Sequence, residues 1–335
     1  MSAKHENLRA TVFIPTYFGE KYLDELLKRV ISQKVDFKYE ILIYDTSSTD
    51  GTPKIIAKYR KKYDNIRYKS IIKAEYGHGK TRRDAAYDAR GEIVVYLSQD
   101  AIPAHDRWLY EMVKPFSLNE GVVGVVGKQD PRPHCVPMLK NEIRTVFGNM
   151  GNDSGTTLYY DDYFVKEQNQ YDFISFYSDV NSAARKDILT GEIPYKPVAY
   201  AEDQLFGRDI INAGYIKAYS PRGNVIHSND VNLKDYKSRL FDETLGLRRV
   251  GVEVEKPDIL LVSKIILIGA TKDIFRIIRD KDYSLKRKIY WLALNPLYYI
   301  EKWRGIRLAA SVDLENKEHM QKYSLEARQA SKNQD

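Results

Sequence analysis

The chain has 335 residues, of which 43% are hydrophobic and 30% are charged. This composition supports a packed core and excludes a wholly disordered protein. The formal net charge of +7 is well below the charge density of a dedicated nucleic-acid-binding protein, so no nucleic-acid partner is expected. The single cysteine, Cys135, excludes a disulfide framework and predicts a reducing, cytoplasmic location. The polar N-terminal stretch 1–10 shows no apolar signal-peptide core.

The first half of the chain alternates short apolar runs with amphipathic runs. Apolar, β-branched runs predict strands, and apolar residues that recur every three or four positions predict helices. Near-continuous apolar strands separated by helices indicate an α/β fold, with a mostly parallel sheet covered on both faces. In chain order, the predicted strands are 10–15, 39–45, 66–71, 92–97 and 122–126, and the predicted helices are 20–32, one with Thr52 as its N-cap, 80–90 and 106–116.

Regular patterns weaken over residues 129–178, which are rich in tyrosine and contain three prolines near their start. A loop of this length inside a compact domain is typically functional, and we expect it to face the acceptor. A helix over 203–212 and a strand over 215–219 follow. A strand-like run then ends at His227.

Polar side chains follow three of the predicted strands. Ligands of an open α/β sheet bind at the carboxyl ends of its strands, so these side chains are candidates for one crevice. The alternative is structural, because aspartate is also a preferred turn and N-cap residue. The candidates are Thr16 and Tyr17 after the first strand, Asp45 after the second, and Ser98, Gln99 and Asp100 after the fourth.

Three further residues have either a functional or a purely structural role. Arg82 lies near the start of a helix, where cations and the helix N-terminus suit a diphosphate, although taken alone the segment is better explained as a solvated basic turn. Asp203 begins a helix, as acidic residues often do, but near a metal or nucleotide it becomes a candidate general base. His227 is a candidate metal ligand or a hydrogen-bonded structural histidine.

Six motifs occur in a specific order along about residues 10–240. They are Phe13-Ile-Pro-Thr-Tyr17, Tyr44-Asp-Thr-Ser-Ser-Thr-Asp-Gly-Thr52, Thr81-Arg-Arg83 with Ala89-Arg-Gly-Glu92, Leu97-Ser-Gln-Asp-Ala101, Glu202-Asp203 and His227. Together they resemble the motifs of the family 2 glycosyltransferases, and the Ser-Gln-Asp-Ala variant is similar to the rhamnosyltransferase branch. The resemblance implies a GT-A nucleotide-sugar fold, and transfer with inversion at the sugar.

The resemblance also implies a nucleotide-binding role for six of the candidates. Asp45 would contact the pyrimidine base. The other five are Thr16 and Tyr17, which would line the base pocket, Arg82, which would steady the nucleotide or diphosphate, and Ser98 and Gln99.

A metal site and a general base are implied for the remaining candidates. Asp100 would hold a divalent cation, Mg²⁺ or Mn²⁺, that bridges the donor diphosphate, with His227 as a further ligand. Ser98 stands where the family commonly has aspartate, which leaves one carboxylate in this motif. Asp203 would remove the proton from the acceptor hydroxyl.

The implied reaction moves a sugar to a hydroxyl of a lipid-linked cell-surface polysaccharide precursor. The resemblance favours rhamnose from dTDP-rhamnose, with a UDP-sugar as another possible donor. One alternative is a nucleotidyltransferase, which also uses a parallel sheet and metal-bound phosphates. Another is a non-catalytic basic membrane-binding module, which would leave Asp100, Asp203 and His227 without a role.

The C-terminal region differs from the rest in charge. We place a catalytic domain at 1–235 and a helical region at 236–335. Residues 256–310 contain 12 Lys/Arg and 5 Asp/Glu, which equals the whole net charge, and a helix break is expected at Asn295-Pro296. Three interpretations remain open: an amphipathic element at the inner face of the cell membrane, a helical subdomain packed on the catalytic domain, or a contact between copies of a homo-oligomer.

Overall fold

The computed structural model describes residues 8–161, 167–198, 200–314, 317–325 and 327; most of the N-terminal stretch 1–10 lies outside them. Two compact units are formed, one from Met1–Asp130 and Val146–His227, the other from Pro131–Thr145 and Ser228–Asp335. Residues 228–335 make up most of the second unit. It also includes 131–145, where the Lys140 ammonium pairs with Asp280 at 2.7 Å, a long-range contact that no local pattern reveals.

Strands and helices alternate over the first unit, and helices make up the second. Within the described ranges, the strands are β1 (Ala10–Thr16), β2 (Tyr39–Asp45), β3 (Ile66–Ser70), β4 (Ile93–Leu97), β5 (Ile102–Pro103), β6 (Val122–Asp130), β7 (Thr157–Tyr159), β8 (Asn181–Arg185) and β9 (Ile216–Ile226). The α-helices of the same ranges are α1 (Glu20–Ile31), α2 (Thr52–Arg60), α3 (His78–Asp88), α4 (Trp108–Val113), α5 (Pro137–Asn149), α6 (Gln168–Ser175), α7 (Lys186–Thr190), α8 (Glu202–Asn212), α9 (Leu233–Arg249), α10 (Ile259–Arg279), α11 (Leu285–Ser311) and α12 (Lys317–Tyr323).

The strands form one sheet in the order β3-β2-β1-β4-β8-β6-β9-β5, with β7 beside β9. Strands β1 to β4 pair in parallel, as predicted, and Thr16 lies opposite Asp45 in the register. Strand β8 runs antiparallel to both of its neighbours, β4 and β6. The α/β class is therefore confirmed, but the sheet is mixed beyond β4. Strand β8 was missed because its sequence, Asn-Ser-Ala-Ala-Arg, has no apolar run.

Predicted helix faces agree with the structure where the apolar period is strong. Leu23, Leu26, Leu27 and Val30 of α1 are all fully buried. Thr52 does not cap α2, whose N-cap is Gly51. The Thr52 hydroxyl instead accepts a hydrogen bond from the backbone N–H of Gly19 at 2.8 Å, which ties together the loops that follow β1 and β2.

Residues 129–178 are not one long loop. They contain the end of β6, helices α5 and α6, and strand β7. Pro137 is the first residue of α5, where proline is favoured because the N–H of that position has no partner within the helix. Prolines that signal a loop in the sequence therefore precede or begin a helix here.

Pro296 does not end its helix, contrary to prediction: α11 continues through it to Ser311. Trp291, Tyr298 and Tyr299 are buried on either side of the proline. The Asn295 amide also donates to Asp273 at 2.9 Å, so tertiary contacts outweigh the missing backbone hydrogen bond. In the parts of the chain that the structure describes, no helix is both long enough and apolar enough to cross a bilayer.

Asn181 fixes the antiparallel strand β8 in the sheet. Its fully buried side chain donates to the carbonyl oxygens of Gly223 at 2.7 Å and Lys128 at 3.2 Å, and accepts from Trp108 Nε1 at 3.0 Å.

We expect Asn181→Ala to lower the free energy of unfolding by about 3 kcal/mol, because three buried polar groups lose their partner. Urea denaturation followed by circular dichroism measures the loss. Asn169→Ala, at an exposed position, is the matched control, and equal losses in both variants would contradict this role.

Candidate active site

Three consecutive residues, Ser178 to Val180, lie at the centre of the candidate site. They directly precede β8 and contact the ends of β4 and β6 and the beginning of α8. The contacts are hydrogen bonds from the Gln129 amide to Ser178 Oγ at 3.1 Å, from the Asp179 backbone N–H to Asp203 Oδ2 at 3.3 Å, and from the Ser98 backbone N–H to the Val180 carbonyl at 3.1 Å. One short segment thus reaches three of the strand and helix ends that carry candidate residues.

A buried charge cluster holds this segment against helix α3. The Arg82 guanidinium pairs with Asp179 at 2.9 Å and with Glu202 at 2.6 Å, and both carboxylates are almost fully buried. Asp179 also accepts hydrogen bonds from Ser182 at 2.6 Å and from Tyr195 at 2.7 Å. Buried charges are tolerated when they are paired and hydrogen-bonded in this way.

The contacts of Arg82 differ from the contact with the nucleotide or diphosphate that the family resemblance implies. Its side chain is only 11% exposed, and two protein carboxylates already engage it. It therefore supports the beginning of α8, and a direct contact with a diphosphate does not follow from this geometry.

Asp203 is the carboxylate best suited to accept a proton. Its side chain is partly exposed, and Oδ1 accepts the backbone N–H of Gln204 at 2.8 Å. Burial, followed by the nearby carboxylates of Glu202 and Asp179, raises the pKa of Asp203 to about 8. The neighbouring carboxylates add to the effect of burial because Arg82 supplies only one positive charge beside three acidic groups. A carboxyl with a pKa near neutrality is typical of catalytic acids and bases.

Asp100 and His227, the two candidate metal ligands, lie next to each other. Oδ2 of Asp100 lies 3.4 Å from Nε2 of His227, although the two residues are far apart in the chain. The side-chain amide nitrogen of Gln129 donates a hydrogen bond to Ser178. The amide oxygen of Gln129 therefore faces Nδ1 of His227, at 3.0 Å. This assignment places the imidazole proton on Nδ1 and leaves the lone pair of Nε2 on the side of Asp100.

The pair fits a divalent cation that is completed by other ligands. Carboxylate oxygen and an imidazole nitrogen whose other nitrogen donates a hydrogen bond are common ligands for Mn²⁺-like ions. In the described residues, no group of three or more His, Cys, Asp or Glu side chains is placed to hold a metal. Sites that use one or two protein ligands together with substrate phosphates are typical of Mg²⁺.

The ends of β1 and β2 form a buried polar network. The Asp45 carboxylate is 1% exposed and accepts hydrogen bonds from the Thr16 hydroxyl at 2.9 Å and the Ser48 hydroxyl at 2.6 Å. Ser48 in turn accepts the backbone N–H of Phe18 at 2.9 Å. Thr16 and Asp45 are therefore brought together as expected, and their hydrogen bonds shape the two loops.

Gln99 links the ends of β1 and β4. Its amide accepts from the Tyr17 backbone N–H and donates to the Tyr17 carbonyl, both at 2.9 Å. Because both polar atoms of this amide bind the main chain, Gln99 fixes the position of Tyr17. The ring of Tyr17 lies 5.6 Å from the Lys73 ammonium, beyond the carboxyl end of β3.

Backbone strain is confined to the loops of this site. Among the described residues, the non-glycine residues with positive φ are Phe18 at 49°, Ser47 at 49° and Ala201 at 59°. They follow β1, follow β2 and precede α8, respectively. Such conformations cost of order 1–3 kcal/mol each and cluster at functional sites.

The structure joins most of the sequence candidates through residues that the sequence analysis missed. Gln129 lies next to the last residue of β6, where the rule that identified Asp100 would have found it, but the strand was predicted to end at residue 126. Asp179 and Ser178 precede an antiparallel strand without an apolar run, and no local signal marks them.

Comparisons with known proteins identify the family of the chain. A family model described as Glycosyl transferase family 2 matches residues 11–190. The O-antigen chain rhamnosyltransferase WbaN of Salmonella anatum is 28% identical, with 89% of this chain and 88% of that protein covered. The O-antigen chain rhamnosyltransferase RfbN of Salmonella typhimurium is 25% identical, with 90% and 89% covered.

A solved structure shows the same fold. The mannosyltransferase PcManGT from Pyrobaculum calidifontis, in complex with GDP-Man and Mn²⁺, superposes with a TM-score of 0.58 at 18% identity, over 92% of this chain and 87% of that one. The GT-A fold implied by the sequence motifs is confirmed by this likeness.

The raised pKa of Asp203 predicts a pH-dependent stability. The folded protein retains a proton there that the unfolded chain releases near pH 3.8, so the stabilisation is complete below pH 3.8 and is lost as the pH rises through about 8. From about pH 5 to about pH 9, wild type should lose about 2 kcal/mol more unfolding free energy than Asp203→Asn, a value reduced for partial exposure. Urea denaturation at both pH values measures this. Asp64→Asn, at an exposed position, is the control, and equal losses in wild type and Asp203→Asn would contradict the pKa shift.

Proposed function

The chain belongs to glycosyl transferase family 2, and on that premise we propose that it transfers rhamnose from dTDP-rhamnose to a hydroxyl of a lipid-linked polysaccharide precursor, with inversion at the sugar. The rhamnosyl assignment is supported by similarity to WbaN over nearly the whole of both chains. The observation that carries the reaction type is that one segment, Ser178 to Val180, hydrogen-bonds to Asp203 directly and to Gln129, which contacts His227 of the Asp100–His227 pair.

Asp203 is the proposed general base. Its carboxylate takes the proton of the acceptor hydroxyl while the hydroxyl oxygen bonds to the anomeric carbon of the sugar. The bond from that carbon to the diphosphate oxygen breaks, and the nucleoside diphosphate leaves with the electron pair. A positioned carboxylate contributes about 10²–10⁴ in rate.

Asp100 and His227 are the proposed ligands of Mg²⁺ or Mn²⁺, and Gln129 orients the imidazole. When bound, such a cation offsets the negative charge that develops on the departing diphosphate. Donor phosphate oxygens and water would complete the coordination, because the protein offers these two ligands at the site.

The proposed nucleotide site lies at the adjoining ends of β1, β2 and β4. Tyr17 borders the base, and the buried hydrogen bond between Thr16 and Asp45 holds together the two loops that form this wall, because β1 and β2 end side by side in the register. Ser98 and Gln99 continue this wall toward Asp100. We assign Arg82 to the support of Asp203, since its charge is paired with buried carboxylates.

Because the proposed acceptor is lipid-linked, the sugar transfer would take place at the inner face of the cell membrane. The protein would be cytoplasmic and bound peripherally to the bilayer. A homo-oligomer stays a prediction from the sequence.

Incubation with a panel of nucleotide sugars and a lipid-linked acceptor tests the proposed function. We expect release of dTDP from dTDP-rhamnose, at a rate well above release from UDP- and GDP-sugars. Release of a sugar 1-phosphate, with the nucleoside monophosphate transferred to the acceptor, would instead indicate a nucleotidyltransferase. Absence of any product, with no thermal stabilisation by dTDP and Mn²⁺, would indicate a non-catalytic protein.

Asp203→Asn is expected to lower kcat by about 10²–10⁴-fold while the Kd for dTDP stays within about twofold, because the substitution removes only the proton acceptor. Steady-state kinetics and calorimetry measure the two quantities. Asp209→Asn, in the same helix and paired with Lys196 at 2.8 Å, is the control. A kcat close to that of wild type would reject Asp203 as the base.

Loss of either proposed metal ligand should weaken cation binding directly. We expect Asp100→Ala and His227→Ala to raise the Kd for Mn²⁺ in the presence of dTDP by about 100-fold, and Gln129→Leu by about tenfold, because it only orients the imidazole. Electron paramagnetic resonance titration reports free Mn²⁺ without an activity assay. Asp153→Ala removes a 76% exposed carboxylate as a control. A His227→Ala Kd equal to that of wild type would assign His227 a structural role.

A further inference from the structure

Exposed large hydrophobic side chains are concentrated in helices α10 and α11. Thirteen of the twenty-one such side chains in the described part of the chain lie between Ile259 and Ile300. The other eight are scattered singly, as is normal for a protein surface. The thirteen are Ile259, Leu260, Leu261, Leu267, Ile268, Ile274, Phe275, Ile278, Leu285, Ile289, Tyr290, Leu297 and Ile300.

Helix α10 is apolar on its outer side as well as on its packed side. Val262 and Ile277 are buried against the unit, whereas Leu260, Leu267 and Phe275 are 80%, 69% and 59% exposed. Leu260, Leu267 and Ile278 recur at multiples of a helical turn, so they lie on one side. An amphipathic helix that only packed on its own domain would carry polar residues there.

Helix α11 continues this pattern. Leu285, Ile289, Leu297 and Ile300 follow one another at spacings of three, four or eight residues and are 75%, 63%, 42% and 39% exposed. Their exposure contrasts with that of Trp291, Tyr298 and Tyr299 on the packed side of the helix, which are buried.

Buried contacts hold the two helices together as a hairpin. Asp273 of α10 is fully buried and accepts hydrogen bonds from Asn295 and Tyr299 of α11, both at 2.9 Å. A Cβ at Gly269 would lie 2.7 Å from the Tyr299 ring, so the helices approach closely at this point. The hairpin packs through this side, which leaves its outer side, defined by the thirteen residues above, uncovered within the second unit.

Charge identifies the partner of this outer side. Residues 259–300 contain eight Lys/Arg and three Asp/Glu. Each of the three acidic residues is ion-paired, Asp273 with Arg276, and Asp280 and Asp282 with the single ammonium of Lys140, so the cations of this stretch remain in excess. The exposed charge that accompanies the apolar residues is therefore positive.

A basic cleft lies at the turn between the two helices. It has a volume of about 530 Å³, and Arg144, Arg276, Arg279 and Lys281 are among the residues that line it. Clustered guanidinium and ammonium groups beside an apolar surface suit the phosphate of a lipid headgroup.

We propose that the outer side of the α10–α11 hairpin binds an anionic lipid bilayer, with the apolar side chains in the interface and the cations against the headgroups. A symmetric contact between two copies is disfavoured, because it would bring two positively charged surfaces together. The proposal rests on the peripheral membrane role given above and names the surface that performs it.

Flotation of the full chain with lipid vesicles tests the proposal. We expect binding to phosphatidylcholine vesicles with about 30% phosphatidylglycerol, at least tenfold weaker binding to pure phosphatidylcholine, and a similar loss when salt is raised from about 0.05 to about 0.5 M. The combined variant Leu267→Glu with Phe275→Glu should lose binding by at least tenfold. Leu118→Glu with Tyr63→Glu, at exposed positions of the first unit, is the matched control and should bind like wild type.

Equal binding by the hairpin variant and wild type would overturn the proposal. So would a stable dimer in light scattering that Leu267→Glu converts to a monomer, because the outer side would then be a contact between copies. Circular dichroism of each variant verifies folding. Vesicle binding is read without any sugar transfer, so failure of the donor screen and failure of this surface are separate results.

Discussion

The candidate site depends on one buried ion pair, between Arg82 and Asp179. Asp179 lies in the segment whose neighbours contact Gln129 on one side and Ser98 on the other. Its carboxylate is buried, and a buried charge without a partner would cost several kcal/mol, so the guanidinium determines where this segment lies. The same short segment consequently contacts the proposed base, Asp203, and Gln129, which contacts the proposed metal ligand His227.

The same ion pair creates an imbalance of charge that has a chemical consequence. Burial raises the pKa of Asp203, and because Arg82 is one cation beside Asp179, Glu202 and Asp203, the neighbouring carboxylates raise it further, to about 8. This arrangement reduces stability at alkaline pH, yet it yields a group that exchanges protons near neutrality. Strain at Ala201, at φ 59°, adds to the cost of placing this helix end. The arrangement that makes the site able to exchange protons therefore also lowers the stability of the fold.

Sequence patterns predicted the parallel part of the sheet and the two ends of the site. Strong apolar periods identified β1 to β4 and α1, and the rule for strand ends identified Asp45 and Asp100. The link between them could not be predicted, because β8 is short, polar and antiparallel, and Arg82, the ion-pair partner of Asp179, lies almost a hundred residues earlier in the chain. The continuity of α11 through Pro296 likewise depends on packing of aromatic residues from both sides, which overrides a local helix-breaking signal. The outer side of the α10–α11 hairpin was predicted only as one of three possibilities, since composition does not show which apolar residues are covered.

The pH dependence of kcat/KM in wild type and Glu202→Gln tests the central claim most directly. Glutamine can still accept a hydrogen bond from Arg82 but removes one of the negative charges that raise the pKa of Asp203. We expect kcat/KM of wild type to rise with pH around a midpoint of about 8, and the midpoint of the variant to lie at least about one pH unit lower. Coincident midpoints in two folded proteins, or no titrating group near pH 8 in wild type, would contradict the account.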